Sequence, residues 1–194
     1  MTLRADLQLI ADWIAPRSQV LDLGCGDGTL LAHLRDARQC AGYGVEIADH
    51  HVLECVKRGV NVVQMNLDAG LRLFPDNKFD AVVLSQTLQA MHQVEAVLRE
   101  MARVGRQGIV SFPNFGHWKH AIALLAGRMP VTKQIPYQWY DTPNIHLCTP
   151  KDFEILAAKL GLTITGRALL ADGEPVSVLP ALRATVAVYR FDTR

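Results

Sequence analysis

"VLDLGCGDGTLL", residues 20–31, sets glycines at 24, 26 and 28 directly behind an apolar run of Val20, Leu21 and Leu23 that has Asp22 inside it. A strand, a glycine-rich turn and an opening helix make the first unit of a βαβ fold. The spacing is not that of a dinucleotide-binding turn, whose third glycine would fall where this chain has Thr29. A phosphate loop would offer a lysine, and the chain offers Asp27 instead. The turn lets a ligand come close to the backbone, but surrounds it with acid.

The same alternation extends to both sides of this stretch. Upstream, Leu3, Leu7, Ile10 and Trp13/Ile14 recur at helical spacing, and Pro16 ends the helix. Downstream, "GYGVEI" reads as a second strand ending at Glu46, with a helix from Asp49 to Lys57 behind it. "VNVVQM" is a third strand, Asp80 to Leu84 a fourth, and "QGIVSF" a fifth. Between the last two, Val94, Val97, Leu98, Met101 and Val104 mark one face of a strong helix. Strands alternating with helices imply right-handed crossovers and a mostly parallel sheet covered on both faces.

After residue 112 the pattern breaks. A short helix is expected around Ala121 to Ala126, then an irregular insertion over about residues 128–148. Thr149 as N-cap, Pro150 at the first helical position and Gly161 as stop define another helix. "LTITGRALL" and "RATVAVYRF" alternate like two closing strands, expected as an antiparallel pair. The fold class is therefore α/β, a single doubly wound, mostly parallel sheet in one domain over residues 1–194.

Twenty basic against nineteen acidic residues leave a net charge of +1, which argues against nucleic acid or an anionic membrane as the main partner. The N-terminal segment carries acid inside its apolar pattern, unlike a signal peptide. Apolar runs such as "AIALLAG" are far too short to span a bilayer. Cys25, Cys40, Cys55 and Cys148 form no CxxC pair, which suits free thiols in a reducing cytoplasm. Oligomeric state is not set by the sequence, and a homo-oligomer stays open.

Ligands of open parallel sheets bind beyond the carboxyl ends of the strands, near the point where strand order reverses. Three acids fall at such ends: Asp22 in the first strand, Glu46 closing the second, Asp68 after the third. A pyrophosphate beside Asp22 and Asp27 would be repelled. S-adenosylmethionine fits better, with its ammonium, sulfonium, ribose diol and adenine amine. Asp22 would help hold the methionine end through the loop, Glu46 would accept both ribose hydroxyls and Asp68 the adenine amine. Ser85 and Gln86, after the fourth strand, would lie near the methionine part. The bland alternatives are that Asp27 is a helix cap and Glu46 a solvated strand end.

These residues also carry a resemblance. "VLDLGCGDGTLL", "GYGVEI", "NLDAGL" and "FPDNKFDAVVLSQTLQ" resemble the class I S-adenosylmethionine-dependent methyltransferases. "LSQTLQA", "VLREMARVGRQGIVSFPNFGHW" and "GRMPVTKQIPYQWYDTPNIHLCT" are similar, more specifically, to the MetW family of methionine biosynthesis proteins. The resemblance implies a Rossmann-like fold, with S-adenosylmethionine, or S-adenosylhomocysteine as bound product. It also implies homoserine O-acyltransferase as partner, with the chain supporting that enzyme's activity. An active methyltransferase on a small-molecule acceptor is the alternative. Asn66 stands where many relatives carry an acid, so the adenine contact is placed on Asp68. The expected cofactor-binding set is Asp22, Gly24, Cys25, Gly26, Gly28, Glu46, Ile47, Asn66, Leu67, Asp68, Ser85 and Gln86.

Other constellations are weaker. His50 with Glu54, or His51 with Cys55, stand four apart on a helix, but without a third ligand in reach no metal site is expected. Cys25 lies beside a helix N-terminus that would lower a thiol pKa, yet it has no histidine partner and reads as a space-filler. His117 and His146 are candidate general bases should methyl transfer occur. The Trp-, Tyr- and Pro-rich segment around them reads first as a partner surface or lid, then as an acceptor pocket, with a purely structural role as the third reading.

Overall fold

The computed structural model describes residues 3–192; the two residues at each end of the expected 1–194 unit lie outside them. In chain order the elements are α1 (Ala5–Trp13), β1 (Gln19–Leu23), α2 (Thr29–Arg38), β2 (Ala41–Glu46), α3 (Asp49–Lys57), β3 (Val62–Gln64), β4 (Phe79–Ser85), α4 (Val94–Val104) and β5 (Gly105–Pro113). They continue with α5 (Trp118–Leu125), α6 (Pro150–Lys159), β6 (Thr163–Ala171), β7 (Glu174–Pro175), α7 (Pro180–Arg183) and β8 (Val186–Asp192).

Among the described residues, eight strands form one sheet in the order β3-β2-β1-β4-β5-β8-β6-β7. The first five are parallel. β8 inserts between β5 and β6 and runs antiparallel to both, and β7 adds a two-residue edge. The closing strands are thus antiparallel, as their alternation predicts. The chain proceeds from β1 toward β3 in one direction and from β4 toward β5 in the other. The reversal between β1 and β4 is the topological switch point.

Strand side chains alternate between the two faces of the sheet. Leu21, Val82, Leu84, Val110, Phe112 and Tyr189 pack with Val97, Leu98 and Met101 of α4 and Phe153 of α6. Val20, Ala81, Val83, Ile109 and Val188 pack on the other face with Ile10 of α1, Leu30 and Leu34 of α2 and Cys55 of α3. Truncating a fully buried residue such as Leu84 to alanine costs about 2–5 kcal/mol. Caps fix the register of the helices. Thr149 Oγ1 accepts from the Asp152 amide at 3.3 Å at the start of α6, and Pro150 occupies its first turn.

The segment between α5 and α6 forms no helix or strand. It is strapped to the turn after β4, where the Ile145 and His146 amides donate to Gln89 O at 2.8 and 3.0 Å. No helix among the described residues is long and apolar enough to cross a membrane.

Candidate functional site

β1 ends at Leu23 and the chain turns at once. The Gly24 and Cys25 amides both donate to Val45 O on β2, at 2.8 and 3.1 Å. Gly24, Gly26 and Gly28 have φ of +68°, +55° and +75°, where a residue with a Cβ is strained by about 1–2 kcal/mol. A Cβ on Gly24 would lie 2.5 Å from Thr87 Oγ1, whereas one on Gly26 would meet nothing within 4 Å. The loop is closed on its Gly24 side and faces open space at Gly26.

Glu46, the last residue of β2, fastens this loop. Its Oε2 accepts the Gly26 amide at 2.9 Å, and its Oε1 accepts the Ile47 and Ala48 amides at 2.8 and 3.0 Å. It is buried, with His51 Nδ1 3.8 Å away. A carboxylate offers about four acceptor sites. Three are occupied, which leaves one, short of the two that accepting both ribose hydroxyls would take, because the backbone amides around the strand end claim the carboxylate first.

Asp22 is buried in the centre of the sheet, paired in register with Gly44 and Val83. Burial first, then repulsion from Glu46, push its carboxyl up to about 7, against the pull of Arg4. No donor among the described residues reaches it, so an incoming cation would meet an acid poised at neutral pH. Arg4 is held over this region by two 3.0 Å bonds to Asp6.

Asp27 is turned away from the loop. It accepts from the Thr29 amide at 3.1 Å, at the start of α2, and from Arg58 at 2.7 Å. Burial opposes its ionisation, but these partners outweigh it and hold the carboxyl below its ordinary value. The cap position of α2 is Gly28, which makes no side-chain bond; Asp27, one residue earlier, closes a turn onto the first helical amide instead. Cys25 lies 3.7 Å from Cys55 Sγ. Burial and the nearby Asp22 charge push its thiol up, reversing the lowering expected from the helix N-terminus, because the apolar packing outweighs the dipole.

At the end of β4, Ser85 Oγ and Ser111 Oγ are 3.0 Å apart, and the Gln86 amide donates to Ser111 O at 2.9 Å. This pins Gln86 at a left-handed φ of +54°. After β3, Asn66 Oδ1 caps the Asp68 amide at 3.0 Å, and Leu67 is buried. Asp68 Oδ1 accepts the His92 and Gln93 amides, both at 3.1 Å. Its carboxylate therefore braces the approach to α4, while Asp22 and Glu46 are close enough to repel each other. Ile47, next to Glu46, stays exposed.

His117 Nδ1 accepts from the Lys119 amide at 3.2 Å as the cap of α5. Burial, then His120 and Lys119, lower its pKa, so the ring is neutral with its proton on Nε2. His146 is exposed and lines a separate groove with Leu88, Phe153 and Leu156. No cluster of three His, Cys, Asp or Glu side chains among the described residues could hold a metal. Thr87, Ser111 and Arg4 escaped the sequence reading. Only Arg4 left a signal, as a lone base ahead of the first helix.

Comparison with known proteins adds a family to this geometry. The family described as "Methionine biosynthesis protein MetW" matches residues 4–191. A relative from Rhodopirellula baltica, "Bifunctional methionine biosynthesis protein MetXA/MetW", is 39% identical over 176 residues, 84% of this chain. The chain spans 28% of that relative's length. Among solved structures, an S-adenosylmethionine-dependent methyltransferase from Mesorhizobium loti is similar with a TM-score of 0.73 at 15% identity, covering 97% of both chains. One from Archaeoglobus fulgidus has a TM-score of 0.73 at 16% identity, covering 97% of this chain and 92% of that one. These two likenesses establish the class I methyltransferase fold.

Proposed function

This chain belongs to the MetW family of methionine biosynthesis proteins, and from that premise we propose that it binds S-adenosylmethionine or S-adenosylhomocysteine beyond β1–β4 and supports a homoserine O-acyltransferase. The observation that carries the ligand is the pairing of an open glycine turn with two buried acids. Gly26 leaves room for close approach, Glu46 keeps one acceptor site for a ribose hydroxyl, and Asp22 lies where the positive methionine end would come. Exposed Ile47 offers the adenine ring an apolar wall. Asn66 and Leu67 line the way to the adenine edge; Asp68, committed to His92 and Gln93, would have to use its second oxygen. Bound there, S-adenosylmethionine would supply an activated methyl group.

The accessory role draws on the family resemblance, which implies homoserine O-acyltransferase as partner, and on the R. baltica relative, whose name joins MetXA to MetW in one bifunctional protein. Fusion keeps two partners at high effective concentration. The segment between α5 and α6 fits an interface, since Trp139 and Tyr140 are each 71% exposed. The methyltransferase alternative is weaker, because His117 spends its basic nitrogen on a helix cap and His146 lines a different groove. Calorimetric titration with S-adenosylhomocysteine and with NAD tests the ligand: binding of the first alone is expected, and binding of neither at millimolar concentration rejects it. Co-elution with the acyltransferase of the same organism tests the partner.

A further inference from the structure

A cavity of about 650 Å³ opens beside Gln86, walled by the start of α1, the turn after β4, the loop between α5 and α6 and the β6–β7 turn. Its volume falls in the range of small-molecule sites, about 300–1,000 Å³. The glycines of the loop after β1 are not among its walls. Its polar groups come from separate elements and carry both signs of charge. Lys133 supplies positive charge and Asp172, in the turn, negative charge; Arg4 and Asp6, also in the wall, pair with each other through two 3.0 Å bonds. Lys133 and Asp172 are exposed, so neither charge is buried. Tyr137 and Asn144 add neutral hydrogen-bonding groups. Gln86 stands in the wall at a left-handed φ that its side chain disfavours, held by Ser111. Strained non-glycine backbone of this kind gathers at ligand sites.

We propose that this cavity is a second small-molecule site, for a ligand carrying both a carboxylate and an amine, the α-amino-acid class. Lys133 takes the carboxylate, and Asp172 takes the ammonium. A ligand with one charge satisfies one wall and leaves the other facing a like or neutral group, so the two walls together select the zwitterion. Tyr137 and Asn144 read the remainder of the molecule. The assignment does not depend on what the glycine loop binds.

The test is calorimetric titration of the whole chain with L-methionine, L-homoserine and L-glutamine, each beside its decarboxylated amine and its des-amino acid. At least one amino acid is expected to bind about tenfold tighter than both of its single-charge analogues. Lys133→Met should bring that amino acid down to the level of its amine and leave the amine unchanged. Asp172→Asn, which tolerates the left-handed φ of +50° at this position, should bring it down to the level of the des-amino acid. Repeating the titration with S-adenosylhomocysteine present should leave amino-acid binding intact. Mutual exclusion would assign the cavity to the methionine end of the nucleotide and overturn the second site. Zwitterions that bind no better than their analogues, no binding at about 10 mM, or indifference to both variants would overturn the ligand class. Failure of S-adenosylhomocysteine to bind would count against the glycine-loop reading alone.

Discussion

The Gly26 amide donates to Glu46 Oε2 across 2.9 Å, so the turn that follows β1 is held in shape by the last residue of β2. The same carboxylate also takes the first two amides beyond its own strand. One side chain thereby sets the curvature of two loops that face each other over the strand ends. Any ligand that hydrogen-bonds Glu46 meets an acceptor already oriented, which reduces the ordering cost of binding.

Glu46→Gln should therefore damage structure and binding together. Three amide donors would face a group with one acceptor oxygen and a competing NH2. Hydrogen bonds to charged groups contribute about 1.5–3 kcal/mol each. The expected outcome is a lowered melting temperature and S-adenosylhomocysteine affinity reduced by at least tenfold, about 1.4 kcal/mol. A variant that melts and binds like the parent would show that the carboxylate holds neither loop.

Asp22 makes binding depend on pH. Its folded pKa is raised to about 7 from 3.8, so the folded chain keeps a proton that the unfolded chain loses. The contribution of Asp22 to stability is greatest below about 4, declines as pH rises through the window from about 4 to 7 and then levels, opposite in sign to that of carboxylates held low by their partners, such as Asp27 and Glu100. A cationic ligand end favours the ionised form, so affinity for S-adenosylhomocysteine should rise through pH 7 and flatten above it, with proton uptake by buffer on binding below that point. Asp22→Asn should flatten both profiles. An affinity profile in the parent that is level from pH 6 to 8 would place the ammonium elsewhere.

The glycines separate strain from space. Gly26→Ala puts a methyl into open space at a φ of +55°, so the fold should survive with a loss of about 1–2 kcal/mol while ligand binding falls. Gly24→Ala drives its Cβ to 2.5 Å from Thr87 Oγ1 and should destabilise the chain more. Adding Thr87→Ala should return part of that loss, because it deletes the two nearest atoms. Melting curves of the single and double variants measure the coupling.

The sheet and its helices were legible because each carries a local pattern. The helix read from Asp49 to Lys57 is α3, and Thr149, Pro150 and Gly161 bracket α6 through cap chemistry that sequence displays directly. The third strand shrank to Val62–Gln64, since a sheet edge pairs on one side only. β7 and α7 were missed, being two and four residues long, too short for any period to register. Within the site, Asp22, Glu46 and the glycines could be found by their place at strand ends. The direction of Asp68, the tether from Ser111 and the cap made by His117 could not. Each depends on which backbone amide lies nearest after folding, and those amides belong to distant or unpatterned segments.

The accessory role is tested through the aromatic segment between α5 and α6. Trp139 and Tyr140 project side by side, their ring centroids 5.7 Å apart at 88°, and both stay largely exposed. Aromatic side chains of this kind dominate interface energetics, and loss of one anchor costs about 2 kcal/mol or more. Trp139→Glu and Tyr140→Glu should weaken a complex with homoserine O-acyltransferase by about thirtyfold or more. They touch neither Glu46 nor the glycine turn, so S-adenosylhomocysteine affinity should be unchanged. If that nucleotide alters the affinity of the complex, linkage requires the acyltransferase to alter nucleotide affinity by the same factor. Gel filtration of the mixed proteins and an acyltransferase assay with and without this chain provide the two readouts. Co-elution that the charged variants abolish, together with raised acyltransferase activity from the parent alone, is the expected result. An acyltransferase fully active by itself, which never co-elutes with this chain, would overturn the accessory role and return attention to a methyl acceptor.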